Sequence, residues 1–178
     1  MKRIIPLACS LLLAAPALAQ PPGGPGGTSH SQTHPTGALA ERPDPELDYR
    51  VVFDVTKASA DPAQLNPRFA AIARFLHLLA ADGVQPEPGH IVAIVHGPAT
   101  PAIAGNDAYA RKTGHSANPN LALIEQLRAA GVTIAVCSHA MQRNGISASE
   151  VAPGVRVDVS AMTTLANLQL RGWALIPD

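Results

Sequence analysis

The chain is 178 residues long, with 13 lysines and arginines against 13 aspartates and glutamates and a formal charge of zero at neutral pH. That balance supplies neither a basic stripe for nucleic acid nor an acidic tail, so bulk electrostatics does not select its partners. Of its two cysteines, Cys9 and Cys137, only the second falls where a folded domain is expected.

The first element is a leader. Met1-Lys2-Arg3 is a basic n-region, Ile4 to Ala15 is an apolar stretch, and Ala17-Leu18-Ala19 is a small-x-small cleavage site. This pattern predicts a signal peptide over residues 1–19, a mature chain beginning at Gln20, and a periplasmic or secreted protein. The apolar stretch is short for a bilayer span and no later stretch rivals it, so no membrane span is expected. Cys9 follows Pro6 and Leu7 too near the N-terminus to serve as a lipoprotein acceptor. Cleavage removes Lys2, Arg3 and Cys9, which leaves 11 basic residues against 13 acidic ones and a formal charge of −2. One thiol in an exported chain points to pairing between molecules or to a free reactive group.

Residues 20–46 read as a disordered Pro/Gly-rich linker. Pro21-Pro22-Gly23-Gly24-Pro25-Gly26-Gly27 is followed by Thr, Ser, His and Gln residues, too little apolar surface to offset the entropy of ordering them. His30 and His34 lie there, but two histidines in such a segment fall short of a metal-ligand set, and no metal or other cofactor is expected.

Residues 47–178 have the length of one domain. Tyr49 to Val55 is the first predicted strand. Asn66 is the predicted N-cap of a helix with Pro67 at its first position. Phe69, Ile72, Phe75, Leu76 and Leu79 recur there at helical spacing, and Asp82-Gly83 stops it. Ile91 to Val95 is a second strand, ending at His96-Gly97-Pro98. After a loop, Asn118 is the predicted cap of a helix carrying Leu121, Ile124, Leu127 and Arg128, closed by Gly131. The β-branched run from Gly131 to Val136 then forms a strand whose last residue is Cys137. A helical piece at Ala148 to Val151, a strand at Val155 to Val159, a helix at Thr163 to Leu170 and a closing strand at Gly172 to Ile176 complete the domain. Alternating βα units with near-continuous apolar strands predict an α/β fold, a three-layer α/β/α domain with a mainly parallel five-stranded sheet.

With right-handed crossovers, the carboxyl ends of the strands share one edge, where open α/β sheets collect ligands and reactive groups. That edge gathers the Val55-Thr56-Lys57 segment, His96, Cys137 and Ser160. Cys137 can act there as nucleophile or sulfur carrier, or it can be a buried thiol serving as a small hydrophobe. His96 is the candidate neighbour that favours its thiolate form, the alternative being a histidine merely hydrogen-bonded at a strand end. A helix starting just after His139 would add its dipole, with Arg143 in support. The chain has no Gly-x-Gly-x-x-Gly, Walker loop, Cys-x-x-Cys or His-Glu-x-x-His, which disfavours a dinucleotide, an NTP, dithiol redox chemistry and a zincin.

The order of four segments, Val95-His96-Gly97-Pro98-Ala99, Asn118-Pro119-Asn120, Val136-Cys137-Ser138-His139-Ala140 and Gly172-Trp173-Ala174-Leu175-Ile176-Pro177-Asp178, resembles the DsrE/DsrF-like family from Tyr49 to Asp178. The resemblance implies a compact α/β/α domain, commonly oligomeric (a homotrimer or homohexamer by analogy), associated with sulfur oxidation and sulfur relay. Cys137 matches the cysteine that carries a persulfide in relay members. Two features depart from the pattern. Many members have Gly-Gln after that cysteine, where this chain has Ser138-His139, and the best-understood relay members are cytoplasmic.

The leading expectation is an exported sulfur-handling protein, a sulfurtransferase or sulfur carrier. Cys137 and His96 are its candidate catalytic residues, His139, Asn118 and Arg143 its candidate substrate-binding residues, and its sulfur donor and acceptor are unidentified. The alternatives are a non-catalytic small-molecule or protein-binding module with a structural Cys137, and a redox-sensing thiol that pairs between subunits. A single thiol without a resolving cysteine suits persulfide carriage better than a dithiol cycle.

Overall fold

The computed structural model describes residues 40–178; the expected signal peptide and most of the expected linker lie outside the described residues. From Arg42 onward the chain is held against the domain, by an Arg42–Asp82 ion pair and by the Asp44 amide, which donates to the Tyr49 hydroxyl at 2.9 Å.

The strands are β1 (Val51–Val55), β2 (Ile91–Val95), β3 (Thr133–Cys137), β4 (Arg156–Asp158) and β5 (Ala174–Ile176). They form one sheet in the order β4-β3-β2-β1-β5, and every pairing is parallel. β2 reads IVAIV and is buried at all positions, as a central strand covered on both faces requires. The helices are α1 (Pro67–Ala81), α2 (Asn106–Thr113), α3 (Leu121–Ala129), α4 (Ser138–Asn144) and α5 (Ala161–Leu170), and 3-10 turns occupy Gly97–Ile103 and Ala148–Glu150.

Strand alternation divides the interior into two cores. Val51, Phe53 and Val55 of β1, with Ile91, Ala93 and Val95 of β2, pack under α1, α3 and the Gly97–Ile103 turn. Val52, Val92, Ile94, Ala135 and Cys137 face the other way, under Ala161 and Leu168 of α5 and Ala140 of α4. Successive side chains on a strand point to opposite faces, so one run of apolar residues supplies both cores. Three connections step β1→β2→β3→β4 in one direction and the fourth returns across the sheet to place β5 beside β1. With right-handed crossovers, that reversal sends α5 to the opposite face from α1 and α3. The result is the expected three-layer α/β/α domain, with α5 as the principal cover of the second face.

Several element boundaries differ from those read in the sequence. Asn118 does not cap α3: the helix begins at Leu121 after Asn120, and the Asn118 side chain is bonded to backbone elsewhere. The loop expected after β2 holds a 3-10 turn and α2; the latter reads NDAYARKT and buries only Ala108 and Tyr109, too few for a visible helical period. α4 starts at Ser138 rather than after His139, so strand passes to helix at Cys137 with no intervening loop. α5 starts at Ala161 because Ser160 is extended, with φ −153° and ψ 142°, and ends the loop after β4. Gly131 joins α3 to β3 at φ +88°, and a Cβ there would lie 3.2 Å from Pro88 Cα, so both backbone conformation and space select glycine.

Candidate functional site

Register brings three strand ends into one row. Val95 of β2 is aligned with Val136 of β3, so the residues that follow, His96 and Cys137, occupy neighbouring positions; Cys137 is itself aligned with Asp158 of β4. Asp54 of β1 is aligned with Ile94, one pleat before His96. Cys137 shares the α5 face with Val52, Ile94 and Ala135, and alternation puts Asp54, His96 and Asp158 on that face too.

Cys137 is 4% exposed and packs within the second core, with Ala135 and Ala140 as close companions in sequence. It is also the N-cap residue of α4, and no side-chain hydrogen bond caps that helix. Ser138, the first residue of α4, donates its hydroxyl to the Val159 carbonyl at 2.8 Å, which ties the thiol-bearing turn to the end of β4. Asp158 is committed to structure: Arg156 donates to its two oxygens at 2.7 and 3.0 Å, and the Thr164 hydroxyl donates at 2.7 Å.

His96 continues the extended path of β2, with φ −156° and ψ −175°, and its amide donates to the Val55 carbonyl at 3.0 Å. Its Nε2 lies 2.6 Å from Oδ1 of Asp54. Gly97 follows at φ +58°, and a Cβ there would sit 3.5 Å from the Thr56 carbonyl oxygen, so the turn after His96 lies close against the end of β1. Among the described residues no hydrogen bond joins His96 to Cys137; register sets their backbone positions on adjacent strands.

The remaining expected site residues fall into two groups. His139 and Arg143 are four apart on the solvent-facing side of α4, the helix that Cys137 begins, and both are exposed. Asn118 lies on the other face of the sheet and is 5% exposed. Its Nδ2 donates to the carbonyls of Ala102 and Ala104 at 2.9 and 2.7 Å, and its Oδ1 accepts from the amide and side chain of Asn120. Its polar atoms are thereby engaged within the protein, away from the row. A cleft of about 350 Å³ opens on that same side, between Pro62, Pro98, Tyr109 and Lys112; neither Cys137 nor His96 lines it. Burial raises the Tyr109 hydroxyl above its ordinary pKa, with the Asp61 charge adding to the effect. Among the described residues no three His, Cys, Asp or Glu side chains come together as a metal set, and no helix is long and apolar enough to cross a membrane.

Asp54 is the residue of this row that the sequence reading did not single out. Its signal was present: a single carboxylate interrupts the apolar strand VVFDV, and such a group inside a strand needs a partner. Nothing local identifies that partner, because His96 lies 42 residues away and meets it only through the β1–β2 register.

Comparison with known proteins agrees with this architecture. The protein of unknown function MTH1491 from Methanobacterium thermoautotrophicum superposes with a TM-score of 0.54 at 20% identity, covering 74% of this chain and all of its own. The ychN protein from E. coli superposes with a TM-score of 0.51 at 17% identity, covering 73% of this chain and 99% of its own. These likenesses speak to the fold. No curated protein matches the sequence. The profile of the DsrE/DsrF-like family, one generally associated with sulfur relay, matches residues 50–177, a span that runs from β1 through β5 and takes in Asp54, His96 and Cys137; the chain belongs to the DsrE/DsrF-like family.

Proposed function

We propose that this is an exported sulfur-handling protein in which Cys137 accepts and presents sulfane sulfur as a persulfide, with His96 as its proton-handling neighbour. The observation that carries the reading is the row itself. The one cysteine of the described chain ends a central strand at the carboxyl edge of the sheet, next in register to a histidine that a carboxylate holds. A thiol must lose its proton to act as a nucleophile, and an imidazole on the adjacent strand is suited to take it. His139 and Arg143, exposed on the helix that Cys137 begins, are the side chains we assign to contact with an incoming donor or acceptor.

One observation favours a second reading. Cys137 is only 4% exposed and belongs to an apolar cluster, as a structural cysteine in a small-molecule or protein-binding module would. The two readings separate in one experiment. The mature protein, incubated with inorganic polysulfide and measured by intact mass, is expected to gain one sulfur atom that Cys137→Ser does not gain. Iodoacetamide is expected to label native Cys137. A thiol that takes neither sulfur nor alkyl group until the protein is denatured establishes the structural reading and removes the carrier function. N-terminal sequencing of exported material is expected to begin at Gln20; a retained leader overturns the proposed localisation.

A further inference from the structure

β1 lies between β2 and β5, and its side chains are buried apart from one. Val51, Val52, Phe53 and Val55 are each 5% exposed or less, whereas the fourth position is Asp54, with its side chain 22% exposed. Valine or isoleucine would extend the second core at that point. A carboxylate instead carries a desolvation penalty that only a partner offsets. Among the described residues no lysine or arginine pairs with Asp54; its recorded side-chain partner is His96, at 2.6 Å.

We propose that Asp54 is the positioning residue of the thiol site: it holds the His96 ring with the proton on Nε2, which leaves Nδ1 as the acceptor on the strand beside Cys137. An ionised aspartate only accepts hydrogen bonds, so the nitrogen facing it must carry hydrogen. The lone pair of the neutral ring then resides on Nδ1, and Nδ1 has no hydrogen-bond partner among the described residues. A carboxylate that selects the tautomer of a base beside a nucleophile is the general logic of hydrolase triads, here spread over three adjacent parallel strands.

The inference deepens the sulfur-handling reading and rests on it for the chemistry that follows. Cys137 Sγ attacks the protonated sulfur of HSS⁻ while its own proton passes to His96 Nδ1. The new S–S bond forms as the donor bond breaks, the bonding pair leaves with the departing sulfur, and that sulfur takes the proton from Nδ1. The products are Cys137–S–SH and HS⁻, so atoms and charge balance. Nδ1 is thus the acceptor that takes the thiol proton and returns it to the departing sulfur.

The test uses the mature protein, from Gln20, uniformly labelled with ¹⁵N, with His96→Ala to identify the His96 ring signals. In the unsubstituted protein the Nε2 resonance is expected at the protonated position and Nδ1 at the unprotonated one. In Asp54→Asn, whose side-chain amide can donate to Nε2, the proton is expected to move to Nδ1. The rates of Cys137 sulfuration by inorganic polysulfide and of alkylation by iodoacetamide are then expected to fall at least about tenfold, part of the roughly hundredfold or more that a general base contributes. Asp54→Glu keeps the carboxylate and is expected to retain the Nε2–H tautomer and part of the rate. Nδ1–H in the unsubstituted protein overturns the proposal, as does Asp54→Asn with an unchanged alkylation rate. If polysulfide leaves Cys137 unmodified but the tautomer and alkylation results stand, the sulfur-carrier reading fails and the role of Asp54 survives. Should Asp54→Asn fail to fold, the ring signals of the unsubstituted protein and Asp54→Glu decide.

Discussion

Asp178 shows what a single side chain can fasten. Its Oδ2 accepts from the Thr56 amide and the Thr56 hydroxyl, both at 2.7 Å, and its Oδ1 accepts from Arg68 Nε at 3.1 Å. The end of the chain is thus bound to the end of β1 and to the first turn of α1. Burial pushes the carboxyl upward, but the Thr56 hydroxyl, the Lys57 and Thr56 amides and the Arg68 charge outweigh it and bring the pKa down to about 2 from 3.8. Because the folded value lies below the unfolded one, the stabilisation is present in full above pH 4–5 and is lost as the pH falls through about 2. Asp178→Asn is therefore expected to cost about 1–2 kcal/mol at pH 7, allowing for solvent screening. Urea unfolding at pH 7 and near pH 2 checks it, with the difference between variant and parent shrinking at the lower pH. At this scale the placement of Cys137 and His96 at the carboxyl edge of the sheet was legible, because each ends an apolar run and strand ends share an edge. Asp54 was not, because its meaning depends on a contact 42 residues away. Asn118 was legible as a notable polar residue, yet nothing in the sequence distinguishes an asparagine awaiting a ligand from one consumed by backbone carbonyls.

Elements are joined on the first face by three asparagines. Asn66 caps α1 by accepting from the Arg68 amide at 2.9 Å, and its own amide donates to Asn120 Oδ1 at 2.7 Å. Asn120 Nδ2 donates to Asn118 Oδ1 at 2.9 Å, and Asn118 reaches the carbonyls of Ala102 and Ala104. The chain of bonds links the starts of α1 and α3 to the turn after β2, and its members are 1–5% exposed. In such a site a truncated member leaves its partners desolvated and unsatisfied. Asn118→Ala is expected to destabilise the protein by about 2–4 kcal/mol through two carbonyls and two donors left unpaired. Asn66→Ala, which loses the cap and a donor to the Lys57 carbonyl, is expected to cost about 1–3 kcal/mol. Thermal unfolding of both variants measures this; little change in either would show that water replaces the lost bonds. The long periodic elements, α1 and β2 above all, were readable to within a residue. The 3-10 turn and α2 were not: prolines interrupt the first, and the second is held by Tyr109, whose hydroxyl donates to the Pro62 carbonyl at 2.7 Å, more than by any apolar stripe.

At the scale of the whole molecule, the surface to consider is the edge of the sheet at β4. Among the described residues β4, three residues long, has no partner on its outer edge, and Val157 within it and Val159 and Met162 after it are 44%, 74% and 78% exposed. Clustered exposed apolar side chains next to a sheet edge mark a surface for association. A homo-oligomer, trimer or hexamer, is expected by light scattering at micromolar concentration, and Met162→Glu is expected to shift it toward monomer. A monomer mass for the unsubstituted protein across that range would refute the expectation. The fold class and parallel sheet followed from the alternation of strand and helix patterns. Strand order could not, since it depends on which crossover reverses direction.

That reversal has a kinetic consequence. Val51 pairs with Ala174 across almost the whole domain, so β1 is made first yet obtains its second neighbour last. In the interval one side of a β-branched strand stands open as a template for any other extended chain. Pairings so distant in sequence close slowly, and unpaired apolar edges are where misassociation begins. β5 therefore acts as a late zipper: until it fastens, β1 keeps one open side in the sheet.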